Sequence, residues 1–288
     1  MPLTTTGVLV ARAASARSAV ASFNIITLEH VEAVIAGAES VHAPVVLQIS
    51  ENAVRFRHGR LLPLARAAVA AAEHATVPVA LHLDHVQSDA LLRQAPDAGF
   101  GSVMYDAARL PYADNLAATR AAADWAHAQG LWIEAELGEV GGKAGQSAPD
   151  PHAPGARTDP DQARAFVADS GVDALAVAVG TTHAMTTRTA SVDHALLKRL
   201  AAALDVPLVL HGSSGLPDDE LTAAVTGGIT KVNIGTALNI AMTGAIREYL
   251  TTHPEAVDSR GYLTVGREAM TRTVAEIIEV LSPAAVVP

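Results

Sequence analysis

The chain has no cysteine. Disulfides and thiolate metal sites are therefore excluded, and any bound metal must be held by His, Asp or Glu, a donor set that suits zinc or another divalent ion. Aromatic residues make up only 3% of the chain and charged residues only 17%. No apolar run approaches the roughly 20 residues needed to span a bilayer. There is also no basic run. With 20 Lys and Arg against 30 Asp and Glu, the formal net charge is −10. Nucleic acid is an unsuitable partner, because phosphate-backbone binding needs clustered cations. A small anionic substrate remains compatible, since a few local N–H groups are enough to hold one phosphate. Residues 1–22 are Ala-rich, carry Arg12 and Arg17, and contain no acid. No cationic stretch precedes the very short apolar run Gly7–Ala11, so this segment reads as a first helix leading into a strand, and the chain as cytoplasmic.

Half of the 288 residues are hydrophobic, enough for a large buried core. Short β-type runs alternate with Ala-rich helical stretches about eight times. The expected strands are Val20–Asn24, Pro44–Ile49, Pro78–His82, Ser102–Asp106, Leu131–Glu136, Ala174–Val179, Pro207–His211 and Thr230–Ile234. Expected helices include Leu61–His74, Asp114–His127, Asp159–Ser170 and Val192–Leu204. Regular β-then-α alternation predicts a parallel sheet. Eight units, with no Gly-rich fingerprint after the first strand, favour an α/β fold of the (β/α)₈ TIM-barrel type over an open dinucleotide-binding sheet. No composition shift marks a boundary, so residues 1–288 are expected to form one domain. The Gly- and Pro-rich stretch 137–157 is expected to be a mobile loop or lid after the fifth strand.

In such a barrel the C-terminal strand ends converge on one mouth, and polar residues gather there in this chain. Asn24, Ser50, Asp84, His85, Asp106, Glu134, Glu136, His183, His211, Asn233 and Thr236 all fall at or just beyond strand ends. Of the 12 histidines, His85, His183 and His211 are placed at the same mouth. Three imidazoles with an open fourth position describe a catalytic zinc site. His82 reads as structural, and His30 and the remaining histidines as ordinary helix or loop residues. The turn Gly212-Ser213-Ser214-Gly215, with Asn233-Ile234-Gly235-Thr236 beside it, has the make-up of the phosphate site that recurs after the last two barrel strands. Lys231 shares an inward face with Asn233. A Schiff-base role for it would leave the three histidines unexplained.

These segments together resemble the class II, metal-dependent ketose-bisphosphate aldolases, of the fructose- and tagatose-bisphosphate type. The resemblance spans roughly residues 5–280. It is carried by Ala21-Ser-Phe-Asn24, His82-Leu-Asp-His85, Ser102-Val-Met-Tyr-Asp106, Glu134-Ala-Glu-Leu-Gly138 with Gly141-Gly142, and Thr158-Asp-Pro160. It continues through Gly171–Gly180, Leu210-His-Gly-Ser-Ser-Gly215 and Lys231-Val-Asn-Ile-Gly-Thr236. It implies Zn²⁺ or another divalent ion on His85, His183 and His211, with Glu136 and Asp106 near an alternative metal position. Asp84 is implied as the acid/base at the oxygen of the aldehyde half, and Asn233 as the group that orients the enediolate. Asn24, Ser50, Gly180, Gly212, Ser213, Ser214, Asn233, Ile234, Gly235 and Thr236 are implied around a sugar phosphate. A monovalent cation beside the phosphate and a homodimer or homotetramer are implied as well.

Two departures stand out. The family usually has Gly and then a Lys-containing turn after the second metal histidine, where this chain has Ala184 and, further on, Arg188 as a substitute for the Lys. The acidic pair expected after the double Gly is replaced by Lys143-Ala144-Gly145-Gln146. The readings left open are an aldolase with a modified lid, an aldolase for a different or less phosphorylated sugar, a metal- or sugar-binding barrel without turnover, and a hydrolase using metal-activated water.

Overall fold

The computed structural model describes residues 3–138 and 156–282. Most of the expected 137–157 loop, including Gly141-Gly142 and the residues that follow, lies outside the described residues. Eight parallel strands close into a barrel in chain order, with the first paired to the last. They are β1 Val20–Asn24, β2 Val45–Ser50, β3 Val79–Val86, β4 Ser102–Tyr105, β5 Trp132–Leu137, β6 Ala174–Val177, β7 Leu208–Leu210 and β8 Ile229–Ile234. No helix among the described residues is long and apolar enough to cross a membrane.

The two faces of each strand carry different chemistry. Outward residues such as Phe23, Leu47, Leu81, Ile133 and Leu210 are buried against the surrounding helices and form the main core. Inward residues alternate with them at the two-residue strand period. Midway up the barrel they are Ser22, Gln48, His82, Ser102, Glu134 and Lys231, all without exposure. Helix Thr6–Ser15 plugs the N-terminal end, packing Leu9, Val10 and Ala13 on Val20, Val46 and Ala80. The Thr6 hydroxyl meets that of Ser102 at 2.5 Å. With one end sealed by apolar packing, the other end is left for the polar strand termini.

Local chemistry sets the helix limits. Helix Pro160–Ser170 starts behind Asp159, whose side chain accepts from the N–H groups of Asp161 and Gln162, and ends at Gly171 in the left-handed region. Beyond the eighth unit, helix Thr236–Thr252 pairs with helix Ser259–Leu281. The latter closes the ring against helix Leu28–Ser40, where Gly37 has no room for a Cβ beside Val274.

Strand limits agree with expectation within a residue or two except for β3. It was expected to end at His82 and runs on to Val86. Asp84 still pairs with Ser50 on β2, and Val86 with Tyr105 on β4. The polar side chains of Asp84 and His85 break the apolar run, while backbone pairing continues on both sides with a register shift toward β4 between Leu83 and Val86.

Candidate active site

Asp84 and His85 are neighbours on one strand, so regular pleating would send their side chains to opposite faces. The β3–β4 register shifts between Leu83 and Val86, and His85 takes φ +50°. This bulge turns both residues toward the mouth. Its cost is a histidine held in the left-handed region, of order 1 kcal/mol. Asp106, just beyond β4, accepts from His85 Nδ1 at 2.8 Å. That bond fixes the ring and leaves Nε2 as its lone-pair nitrogen, the usual arrangement behind a metal-ligating histidine. Asp106 therefore backs His85 and is not among the four clustered donors.

His85, Glu136, His183 and His211 place one donor atom each within 4.8 Å of one another. The imidazole centroids lie 4.9 Å apart for His85 and His211, 5.2 Å for His85 and His183, and 5.7 Å for His183 and His211. Three imidazoles and a carboxylate, supplied by β3, β5 and the loops after β6 and β7, fit a zinc-class divalent ion.

The ring of His211 is fully buried between two carboxylates. Nε2 lies 3.0 Å from Glu134 and Nδ1 3.1 Å from Glu136. Burial alone would lower its pKa, but the two glutamates outweigh that and push it up to about 9. Glu134 also accepts from Lys231 Nζ at 2.8 Å. Burial pushes the Glu134 carboxyl up, yet Lys231 and the neighbouring histidines hold it well below the usual carboxylate range. Lys231 donates to the Asn233 carbonyl as well, at 2.7 Å. It is thus a buried counter-ion held between two acceptors. His82 pairs with Ser102 at 2.8 Å. Its pKa falls to about 3, from burial first and then the Lys231 charge. It stays neutral and lies outside the donor cluster.

Asp84 is held at both oxygens. Asn24 donates to Oδ2 at 3.2 Å and Asn233 to Oδ1 at 3.4 Å. Gln48 in turn donates to the Asn24 carbonyl at 2.8 Å. Burial opposes the charge on Asp84, but His85, then His211 and Lys231, keep its carboxyl below the ordinary value. The site therefore presents an ionised, oriented carboxylate next to the donor cluster.

A cavity of about 630 Å³ opens over these groups. Asn24, Ser50, Asp84, His85, Asp106 and His183 line it. Gly212, Ser213, Ser214, Asn233, Gly235 and Thr236, from the ends of β7 and β8, line it as well. Gly212 sits at φ +66° with the Thr182 backbone 2.7 Å from where a Cβ would be, so only glycine fits. A Cβ on Gly235 would meet Asn24 Oδ1 at 2.9 Å. Ser214 Oγ accepts from Ala237 N at 3.2 Å, leaving its O–H able to donate into the cavity. Helix Thr236–Thr252 begins at the same spot and adds the positive end of its dipole.

Three expected contacts are placed elsewhere. Ile234 is buried beneath the cradle, 2% exposed. Gly180, at φ +112°, packs against Ser191 and Arg157. Arg188 donates to the Leu216 carbonyl at 2.7 Å and pairs with Asp218, away from the cavity lining. A guanidinium held by those two acceptors is not turned toward the cradle.

The lining also includes groups that sequence reasoning passed over. Glu51 accepts from the backbone N–H groups of Gln87 and Ser88 at 2.7 and 3.2 Å, so it clamps the turn just past His85. As an acid in the first turn of a helix, it carried no sequence signal beyond an ordinary helix start. Arg109 was discoverable, because it lies three residues past the end-of-strand Asp106. Asn239, one turn into the last βα helix, was not singled out.

Ala184 lies at φ +59°, a conformation that favours glycine. Ala184→Gly is expected to stabilise the protein by about 0.5–1 kcal/mol, the left-handed strain relieved less the added freedom of the unfolded chain. Denaturant unfolding checks this, and a destabilised variant would show that the methyl group is unstrained.

The family model described as "Fructose-bisphosphate aldolase class-II" matches residues 4–285. Among solved structures, the chain is similar to the YdjI aldolase of Escherichia coli K12, with 30% identity, 98% of each chain covered and a TM-score of 0.83. It is also similar to a putative fructose-1,6-biphosphate aldolase from Coccidioides immitis, with 27% identity, 96% of this chain and 95% of that one covered, and a TM-score of 0.85. The fructose-bisphosphate aldolase of Campylobacter jejuni, at 22% identity over 97% and 95% of the two chains, shares the fold with a TM-score of 0.81. A barrel whose mouth joins a His₃Glu cluster to an ionised aspartate, matched over nearly its whole length, belongs to the class II fructose-bisphosphate aldolase family and, with it, to the carbon–carbon lyases.

Proposed function

We propose that this enzyme catalyses the reversible, zinc-dependent retro-aldol cleavage of a ketose (bis)phosphate to dihydroxyacetone phosphate and an aldehyde. The observation that carries the reading is the convergence, in one cavity, of the His85–His183–His211–Glu136 donors, the ionised Asp84 and the Gly212–Gly235 cradle. When bound, the ion supplies Lewis acidity that stabilises the negative charge left as the carbon–carbon bond breaks. Asp84 takes the proton from the hydroxyl at the aldehyde end and returns it in the condensation direction. Asn233, braced by Lys231, and Asn24 hold Asp84 in place and offer amide donors to substrate oxygens. Ser214 and the helix that starts at Thr236 receive the phosphate.

A panel of ketose monophosphates and bisphosphates, assayed for triose release with added zinc and with chelator, tests this. Metal-loaded protein that cleaves none of them would sink the reading.

Metal uptake is expected to release protons. With its pKa near 9, above the ordinary 6.5, His211 is protonated in the metal-free protein at neutral pH. A ligating nitrogen must be bare. Zinc affinity should therefore climb steeply between pH 6.5 and 9, by up to about tenfold per unit. The stability that the charged ring gives the metal-free protein is present below pH 6.5 and is lost as pH rises through about 9. Competition titrations with a chelating dye measure the first effect, and an affinity flat across this range would contradict it.

A further inference from the structure

Glu51 lines the cavity, yet the chemistry above does not use it. It opens helix Glu51–Phe56, directly after the last residue of β2, and is buried. Both of its oxygens are taken. Oε2 accepts from Gln87 N at 2.7 Å and from Ser88 N at 3.2 Å. Oε1 accepts from Arg55, one turn along the same helix, at 2.7 Å. A carboxylate engaged at both oxygens is suited to holding the chain, not to moving a proton at the substrate. What it holds is the segment that leaves His85. Ser50 is in register with Asp84 across β2 and β3. Glu51, the next residue, therefore leaves β2 at the level where β3 turns irregular, and it reaches the two residues beyond Val86.

That irregular step needs holding. Leu83 is in register with Val103 and Val86 with Tyr105, so β3 carries an extra residue against β4. His85 takes φ +50° within it, and a non-glycine residue stays in the left-handed region only when its surroundings fix it there. On the β4 side, Asp106 N donates to the Val86 carbonyl at 2.8 Å and Asp106 Oδ2 accepts from His85 Nδ1 at 2.8 Å. On the β2 side, the Glu51 carboxylate takes two backbone N–H groups, and bonds to a charged acceptor are stronger than bonds to a neutral one. The kink is gripped from both neighbouring strands. We propose that Glu51 is a positioning residue for the metal site: its carboxylate fixes the kink that aims the His85 ring at the donor cluster. The proposal rests on the reading of His85, His183, His211 and Glu136 as metal ligands.

The test uses the full chain. Zinc affinity is read by competition with a chelating dye, and coordination geometry by the visible bands of the cobalt(II)-loaded protein. Glu51→Ala should weaken zinc binding on the order of tenfold, the usual effect of losing a group that orients a ligand, and should shift the cobalt bands. Glu51→Gln keeps a carbonyl acceptor for the Gln87 and Ser88 N–H groups and should recover most of the loss. Adding Glu51→Ala to His85→Ala should cost no further zinc affinity, because the carboxylate acts through that ring. A Glu51→Ala protein that binds zinc like wild type would overturn the proposal. So would a loss just as large on the His85→Ala background, or a Glu51→Gln protein as impaired as Glu51→Ala. If Glu51→Ala does not fold, Glu51→Asp decides: it keeps the charge but is one carbon shorter, so weakened zinc binding supports the clamp and wild-type affinity overturns it. A wild type that binds zinc but cleaves no ketose would sink the proposed reaction and leave this assignment to the measured affinities. A wild type that binds no zinc would sink the metal-site reading and this assignment with it.

Discussion

Asp84→Asn is expected to lower kcat by about 10²–10⁴-fold, the usual contribution of a positioned general acid/base, with bound metal unchanged. The substitution keeps the side-chain shape and removes the charge. Asp84 is not among the four clustered donors, so metal content has no reason to fall with it. Its oxygens accept from Asn24 and Asn233. An amide there turns one acceptor into a donor facing a donor, which adds a local repulsion but leaves the barrel intact. Metal analysis alongside single-turnover rates separates the outcomes. Full rate in the variant would remove Asp84 from the chemistry, and rate and metal falling together would make it a ligand. The wild-type pH profile gives a second check. The Asp84 carboxyl is held below the ordinary Asp range, with the surrounding His and Lys groups outweighing burial. The base form is thus present at all higher pH, and any acid limb of kcat/KM that Asp84 causes must fall below the ordinary carboxylate range. A limb near pH 6 in the free enzyme would belong to another group.

The parts legible in the sequence were those written in a short repeat. Apolar runs followed by polar strand ends located β1 and β8 within a residue, and the same ends located His85, His183 and His211. What stayed illegible depends on pairing across strands or on turns with no compositional mark. Nothing in His82-Leu-Asp-His85 signals that His85 adopts φ +50°, because bulges are usually announced by glycine and this one is not. The Lys231–Glu134–His211–Glu136 chain links residues 75 to 97 positions apart. It exists only once the register of the closed barrel is known, since period-2 patterning tells which side chains point inward but not which of them meet. Arg188 shows the opposite failure. A cation in the right turn matched the phosphate in composition, yet nearby acceptors, the Leu216 carbonyl and Asp218, took it instead.

His183→Ala and His211→Ala should both abolish metal-dependent cleavage, by about 10³-fold or more, yet differ sharply in what else they cost. Loss of one of three histidine ligands weakens zinc binding severely in either case. His183 stands half-buried in the loop after β6, so its removal should cost the fold less than removal of a fully buried ring. His211 is fully buried between Glu134 and Glu136, with Lys231 on the far oxygen of Glu134. Deleting its positive ring leaves two buried carboxylates facing one ammonium, and breaking a buried ion pair from one side typically costs about 3–5 kcal/mol. Metal-free His211→Ala should therefore unfold at markedly lower denaturant than metal-free wild type, while His183→Ala loses less. His211→Gln, which keeps a donor amide but no charge, should fall between the two. Equal stability of His183→Ala and His211→Ala would mean that the paired carboxylates are discharged in the metal-free protein. The raised pKa of His211 would then have no counterpart in folding, whatever the two variants do to the reaction.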